Sequence, residues 1–242
     1  MKKLIAIIAV SLCFWNPASA ATIFIVGDST ASIKPDRDRP ETGWGEALPA
    51  LVAEPHILTN VAVNGRSTRS FMTEGRWQAV LDQLQPKDIV LIQFGHNDQK
   101  YTDYRRFADP WRDYPLFLRQ YVEDTVKKGA YPVLLSSIAR RRFDAEVPVN
   151  THTPYPESME RVAAALKVPY VDMNSVSSVW LRSLGPVKSK SFYLHVDPGT
   201  NPNYPDGISD DTHLNAAGAT EIAAMIAEQL KALGSPYAGH FL

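Results

Sequence analysis

The stretch Ile23-Phe24-Ile25-Val26, followed at once by Gly27-Asp28-Ser29-Thr30, restricts the fold of this chain more than any other feature. Four consecutive β-branched or aromatic residues with no polar alternation form a strand buried on both faces. The small polar tetrapeptide after them suits a tight turn leading into a helix. The same punctuation recurs down the chain. Residues 57–63 run into Asn64-Gly65-Arg66-Ser67, residues 89–94 into Gly95-His96-Asn97-Asp98, and residues 131–137 end in Ser136-Ser137. A short fifth run covers 169–173. Helical patterns fall between them, over 41–52, 77–84, a long segment with apolar Phe117, Tyr121 and Val122, and 155–167 with Met159, Val162, Ala163 and Leu166 on one face. Asn174 is expected to cap the next helix, and 215–233 forms the last, with Ile222, Ile226, Leu230 and Leu233 apolar. Residues 188–211 read as irregular and too long for a plain connection.

Strands alternating with helices predict a three-layer α/β/α, flavodoxin-like fold with a five-stranded parallel sheet, because parallel strands need a crossover between them. All the polar strand ends then fall on one edge of the sheet, where such folds bind ligands. Ser29 stands at the end of the first strand. A serine hydroxyl becomes a nucleophile only when a base takes its proton and a third group orients that base. His213 and, three residues earlier, Asp210 can supply both roles within one turn. An acyl-transfer oxyanion would need donors, and the N–H of Ser29, the N–H of Gly65 and the amide of Asn97 are available at strand ends. Each feature alone has a plainer reading: turn chemistry at Ser29 and Gly65, a helix cap at Asp210, a surface histidine at His213, a self-bonded loop asparagine at Asn97.

Composition narrows the partners. Lys2-Lys3, the apolar residues 4–14 and Ala18-Ser19-Ala20 form a secretory signal with a cleavage site after Ala20, which leaves residues 21–242 as one domain. The one cysteine, Cys13, lies inside that segment, so the mature chain must rely on a buried core rather than on disulfides. The balance of 25 basic and 26 acidic residues gives no sign of nucleic-acid binding. His195, Asp197, Asp206 and Asp211 lack metal-like spacing, and Arg140-Arg141-Arg142 reads as a solvated charge run. Trp44, Trp77 and Trp180 are core candidates, whereas Trp111 and Tyr104 are candidates to stack on a sugar.

Taken together, Gly27-Asp28-Ser29, Gly65 within Asn64-Gly65-Arg66-Ser67, Gly95-His96-Asn97-Asp98 and Asp210-Asp211-Thr212-His213 resemble, in order, the four blocks of the SGNH (GDSL-like) hydrolases. Gly43-Trp44-Gly45-Glu46, Glu74-Gly75-Arg76 and the segment 210–218 bring the resemblance closer to the rhamnogalacturonan acetylesterase branch. That resemblance implies a secreted or periplasmic serine esterase that removes acetyl groups from the rhamnogalacturonan backbone of pectin. It implies Ser29 as nucleophile, His213 as base, Asp210 as its orienting carboxylate, and Ser29, Gly65 and Asn97 as oxyanion donors. No cofactor or metal is implied, and a monomer without nucleic-acid or membrane partners is expected. An anionic pectic substrate calls for cationic and hydrogen-bonding groups at the cleft, and Arg66, Arg69 and His96, with Trp111 as a stacking aromatic, are the substrate-binding candidates. Another acetylated polysaccharide, a lipid or thioester substrate, and a noncatalytic carbohydrate-binding role are the alternatives.

Overall fold

The computed structural model describes residues 20–242, so the signal reading of residues 1–20 lies outside the described residues but for Ala20. Five strands form a parallel sheet in the order β2-β1-β3-β4-β7. These are β1 (Thr22–Gly27), β2 (Ile57–Asn60), β3 (Ile89–Gln93), β4 (Tyr131–Leu135) and β7 (Tyr170–Val171). A two-residue hairpin, β5 (Phe143–Asp144) and β6 (Val147–Pro148), follows β4. The helices are α1 (Trp44–Ala47), α2 (Thr68–Thr73), α3 (Arg76–Leu81), α4 (Asp113–Lys127), α5 (Tyr155–Leu166), α6 (Met173–Lys188) and α7 (Ala216–Ala232).

The period of two along the central strands sorts the core into two halves. Ile23, Ile25, Ile89, Leu91, Val133 and Leu135 pack on one face with Trp44, Leu181, Ile222 and Ile226. Phe24, Val26, Val90, Ile92 and Leu134 pack on the other with Phe71, Trp77, Leu118 and Met159. Most of these side chains are fully buried, each contributing roughly 1.5–3 kcal/mol of transfer free energy. Burial on both sides explains why β1 and β3 read as unbroken apolar runs.

Several elements differ from the sequence expectation. The helix expected over 41–52 shrinks to α1 and a 3-10 turn at Leu48–Leu51, since Pro49 removes a donor where the helix would continue. The strand expected over 57–63 ends at Asn60, although Val61 and Val63 still donate to the Ile25 and Gly27 carbonyls and keep the segment beside β1. Helix α2 was not expected; Ser67 caps it, its hydroxyl accepting from Ser70 N. Asp172, not Asn174, caps α6, because the carboxylate accepts from Ser175 N while the Asn174 amide turns inward to the Ser137 carbonyl. The stretch 188–211 is not irregular throughout. It holds most of an antiparallel hairpin, β8 (Tyr193–Val196) and β9 (Ile208–Leu214), joined by a proline-containing loop. Trp44 and Trp77 are buried, and Trp180 packs against the core.

Candidate active site

Hairpin β8–β9 carries Asp210 and His213. Its register pairs Leu194 with Asp210 but the adjacent Tyr193 with Leu214, so Asp211, Thr212 and His213 bulge from the ladder. Asp210 stabilises the bulge by accepting the N–H groups of Thr212 (2.7 Å) and His213 (3.0 Å) on Oδ1. Its other oxygen accepts His213 Nδ1–H at 2.7 Å. That fixes the tautomer and leaves the Nε2 lone pair toward Ser29, whose Oγ lies 2.9 Å away. Burial raises the Asp210 carboxyl, but the hydrogen bonds from His213 and Thr212 outweigh it and hold the group at about 2. The carboxylate therefore stays charged beside the imidazole. Asp210 does not cap α7; Asn215 does, accepting from Gly218 N at 3.1 Å.

The turn that carries Ser29 is held from below. Asp28 is buried and accepts the N–H and hydroxyl of Thr30 (2.9 and 2.8 Å). Gln93 Oε1, at the end of β3, lies 2.9 Å from Thr30 Oγ1 and accepts the Trp44 indole N–H at 3.1 Å. Among the described residues neither the Ser29 N–H nor the Gly65 N–H donates to another group. Gly65 has φ +76°, a left-handed conformation that a side chain would strain. The Asn97 amide donates one proton to the Arg66 carbonyl at 3.0 Å and keeps its second. Three donors thus stand at the ends of β1, β2 and β3, the edge where Ser29 and His213 meet.

A family model described as the GDSL-like lipase/acylhydrolase family matches residues 25–220. The chain belongs to that family. It is a carboxylic ester hydrolase and stands with the rhamnogalacturonan acetylesterases. The chain is 39% identical over 221 residues to rhamnogalacturonan acetylesterase RhgT of Bacillus subtilis, covering 91% of this chain and 94% of that one. It is 30% identical over 233 residues to a rhamnogalacturonan acetylesterase of Emericella nidulans, with 88% and 86% covered. The crystal structure of YxiM from Bacillus subtilis superposes with a TM-score of 0.77 at 24% identity, over 91% of this chain and 59% of that chain.

In this family member the substrate-binding candidates have diverse surroundings. Arg66 reaches the surface but pairs with Glu74 at 2.9 Å. Arg69 donates to the Phe107 carbonyl and to Asp113, both at 2.7 Å, and so fastens the loop before α4 onto α2. Trp111 is 48% exposed and lies under the Arg161 guanidinium on α5, 4.9 Å from ring centroid to charge. His96 is buried at 3% exposure. Its Nδ1 meets His152 Nε2 at 2.9 Å, and the Asn174 amide donates to His152 Nδ1 at 3.3 Å. His152 must then donate to His96, which leaves the His96 proton on Nε2. Burial holds both rings neutral, His152 at about 3.

The arginines after β4 are not a solvated run. Arg140 is largely withdrawn from water and donates to Thr212 Oγ1, Thr151 Oγ1 and the His96 carbonyl (3.2, 3.2 and 3.4 Å). Arg141 binds Asp211, which also meets His195 Nε2 at 2.9 Å. Loop-to-loop bonding draws these cations inward, and only Arg142 stays exposed. No group of three or more metal-ligating side chains assembles among the described residues. No described helix is long and apolar enough to cross a membrane.

Two residues went unnoticed in the sequence. Lys34, with a fully buried side chain, donates to the Ser29 carbonyl, to Ser32 Oγ (2.9 Å) and to Asn64 Oδ1 (2.6 Å). It also pairs with Glu41 at 2.7 Å, whose Oε1 is 3.9 Å from His213 Nε2. One ammonium therefore ties the Ser29 turn to the Gly65 loop. Nothing in the polar run 34–40 distinguishes this lysine from a surface one.

Proposed function

We propose that Ser29, His213 and Asp210 form a catalytic triad that removes acetyl groups from the rhamnogalacturonan backbone of pectin. The observation that carries this reading is the unbroken chain from Ser29 Oγ to His213 Nε2 (2.9 Å) and from His213 Nδ1 to Asp210 Oδ2 (2.7 Å). Ser29 Oγ attacks the acetyl carbonyl as His213 takes its proton. The oxyanion falls to the N–H groups of Ser29 and Gly65 and the free amide proton of Asn97. His213 then protonates the departing sugar oxygen, and the acetyl group stays on Ser29. Water, deprotonated by His213, releases acetate and restores the hydroxyl.

The acetylated polysaccharide substrate is supported by the relatives' activities and by the polar character of the surrounding loops, which carry Arg66, Lys100, Arg105 and Asp103. Export through removal of residues 1–20 belongs to the same reading; the recovered protein should begin at Ala21, and a mass retaining Met1 would contradict it. Acetate release is to be compared on acetylated rhamnogalacturonan and acetylated xylan, then on acetyl and octanoyl p-nitrophenyl esters. Rhamnogalacturonan and the acetyl ester should lead. A preference for xylan would keep the chemistry and change the polymer, whereas a preference for octanoyl would favour a lipid substrate. Labelling of Ser29 by a fluorophosphonate would separate either enzyme from a noncatalytic binder.

A further inference from the structure

The segment that leads into α1 is fastened to both halves of the site. Glu41 bridges Asn215, and the Thr42 N–H donates at 2.9 Å to the carbonyl of Leu214, the residue after His213. The Trp44 N–H donates at 2.9 Å to the carbonyl of Thr30, the residue after Ser29. Glu41 is buried, and its Oε1 lies 3.9 Å from His213 Nε2, the nitrogen that faces Ser29. The Lys34 ammonium stands 2.7 Å from the same oxygen but gives it no proton. Its three N–H groups go to the Ser29 carbonyl, Ser32 Oγ and Asn64 Oδ1. Oε1 is therefore charged, withdrawn from water and without a hydrogen bond. Such an oxygen costs stability in the resting fold. The cost is offset when a positive charge forms beside it.

We propose that Glu41 is a second counter-ion for His213, a positioning residue that steadies the imidazolium formed when Ser29 gives up its proton. The proposal rests on the esterase reading of Ser29 and adds one charge to its mechanism. As the proton moves from Ser29 Oγ to Nε2, the ring becomes cationic. Asp210 balances it at Nδ1, from 2.7 Å, and Glu41 balances it at Nε2, where the proton has arrived. The proton then leaves Nε2 for the departing sugar oxygen, so Glu41 neither gains a proton nor forms a bond. Lys34 neutralises Glu41 while the ring is uncharged, which keeps the carboxylate in place between turnovers. Among the described residues only Asp210 and Glu41 come within ion-pair distance of the His213 ring. The other ionisable neighbours stand farther off. Asp28 lies beneath the Ser29 turn, His96 follows β3 and is held neutral by burial, and Arg140 reaches Thr212 rather than the ring. On the Glu41 side stands Tyr204, whose hydroxyl donates to the Asp38 carbonyl.

The test is the pH dependence of acetate release from p-nitrophenyl acetate by the full mature enzyme. Glu41→Gln should lower kcat about ten- to a hundredfold and leave KM nearly unchanged, because the charge it balances exists only during turnover. It should also move the acid limb of kcat/KM down by about 0.5–1.5 pH units, since a neighbouring carboxylate favours the protonated ring. In the double variant Lys34→Met/Glu41→Gln the limb should stay below that of wild type. A limb restored to the wild-type position there would show that Glu41 merely neutralises Lys34, and would overturn the proposal. An unmoved limb in Glu41→Gln would overturn it equally. Glu41→Asp, which keeps the charge but draws it back from Nε2, should fall between wild type and Glu41→Gln. That variant takes over the test if circular dichroism shows Glu41→Gln to be misfolded, and a limb moved upward or not at all would then sink the idea. Failure of wild type to release acetate, or an undiminished rate in Ser29→Ala, would instead overturn the esterase reading.

Discussion

Lys34 shows how one buried charge can organise a site without touching a substrate. Its ammonium bonds to Ser29, Ser32 and Asn64 and is paired with Glu41. Replacing it by methionine would leave Glu41 without a counter-ion in a poorly hydrated position. Lys34→Met should therefore destabilise the fold by about 3–5 kcal/mol in urea titration. It should also lower kcat more than it raises KM, because it releases the nucleophile turn from the Gly65 loop. A loss below about 1 kcal/mol would mean that water takes over the bonds. The neighbouring aspartates differ at the same scale. Asp210 holds His213, whereas Asp211 binds Arg141 and His195. Asp210→Asn should cost roughly 10⁴-fold in kcat by favouring the wrong imidazole tautomer. Asp211→Asn should act mainly on stability, and steady-state kinetics of the two variants would show a reversal if the assignment were mistaken.

At the scale of elements, the hairpin β8–β9 is the piece the sequence reading lacked. Its bulge lets three residues leave the ladder, so Asp210 and His213 face one another across a turn rather than alternating along a strand. Asn215 fixes the junction between this hairpin and α7. Its Oδ1 caps the helix, and its amide donates to the Ser191 and Tyr193 carbonyls (2.8 and 3.1 Å). Asn215→Ala should cost about 1–2 kcal/mol, toward the upper end of helix-cap losses because strand contacts go with the cap. Asn215→Asp should keep the cap and lose the two donated bonds. Urea midpoints of the pair would separate the contributions, and an alanine loss of only a few tenths would show the hairpin to be held elsewhere.

For the whole molecule, buried ionisable groups give opposing pH dependences. Burial raises the Asp98 carboxyl to about 7, against hydrogen bonds from the Thr68 N–H and hydroxyl and with Asp28 adding repulsion. A group whose folded pKa is raised contributes most stability below its unfolded value near 3.8, and that contribution is lost as pH rises toward 7. His96 and His152 act oppositely, since each is held neutral in the fold and protonates in the unfolded chain below about 6.5. Asp210, lowered to about 2, contributes above 3.8 and loses that contribution only as pH falls through about 2. The comparison of wild type with Asp98→Asn between pH 4 and 7.5 isolates one group. The variant should gain on wild type as pH rises, by on the order of a few kcal/mol, with a plateau above pH 7. Parallel unfolding curves across that range would contradict a buried, neutral-preferring Asp98.

The doubly wound sheet was legible because burial on both faces leaves a direct mark: residues 23–26 and 89–92 admit no polar side chain, and each run stops at small polar residues. Ser29, Gly65 and Asn97 could be singled out for the same reason, since strand ends on one edge must lie near each other whatever the loops do, whereas Asp210 and His213 stood out by their three-residue spacing ahead of the last helix. Other features had no local signature. A lysine in a polar run reads the same whether it is solvated or buried under Ser29, and Arg140 and Arg141 read as surface charges until loops 96–99, 151–152 and 211–212 close over them. Arg69 looks as free as Arg66 until Asp113 is brought alongside. Periodicity and turn chemistry act over a few residues and are written in the sequence. The partner of a charge can come from a segment tens of residues away, as the 70-residue separation of Arg141 and Asp211 illustrates, so only the folded chain decides which charges remain available.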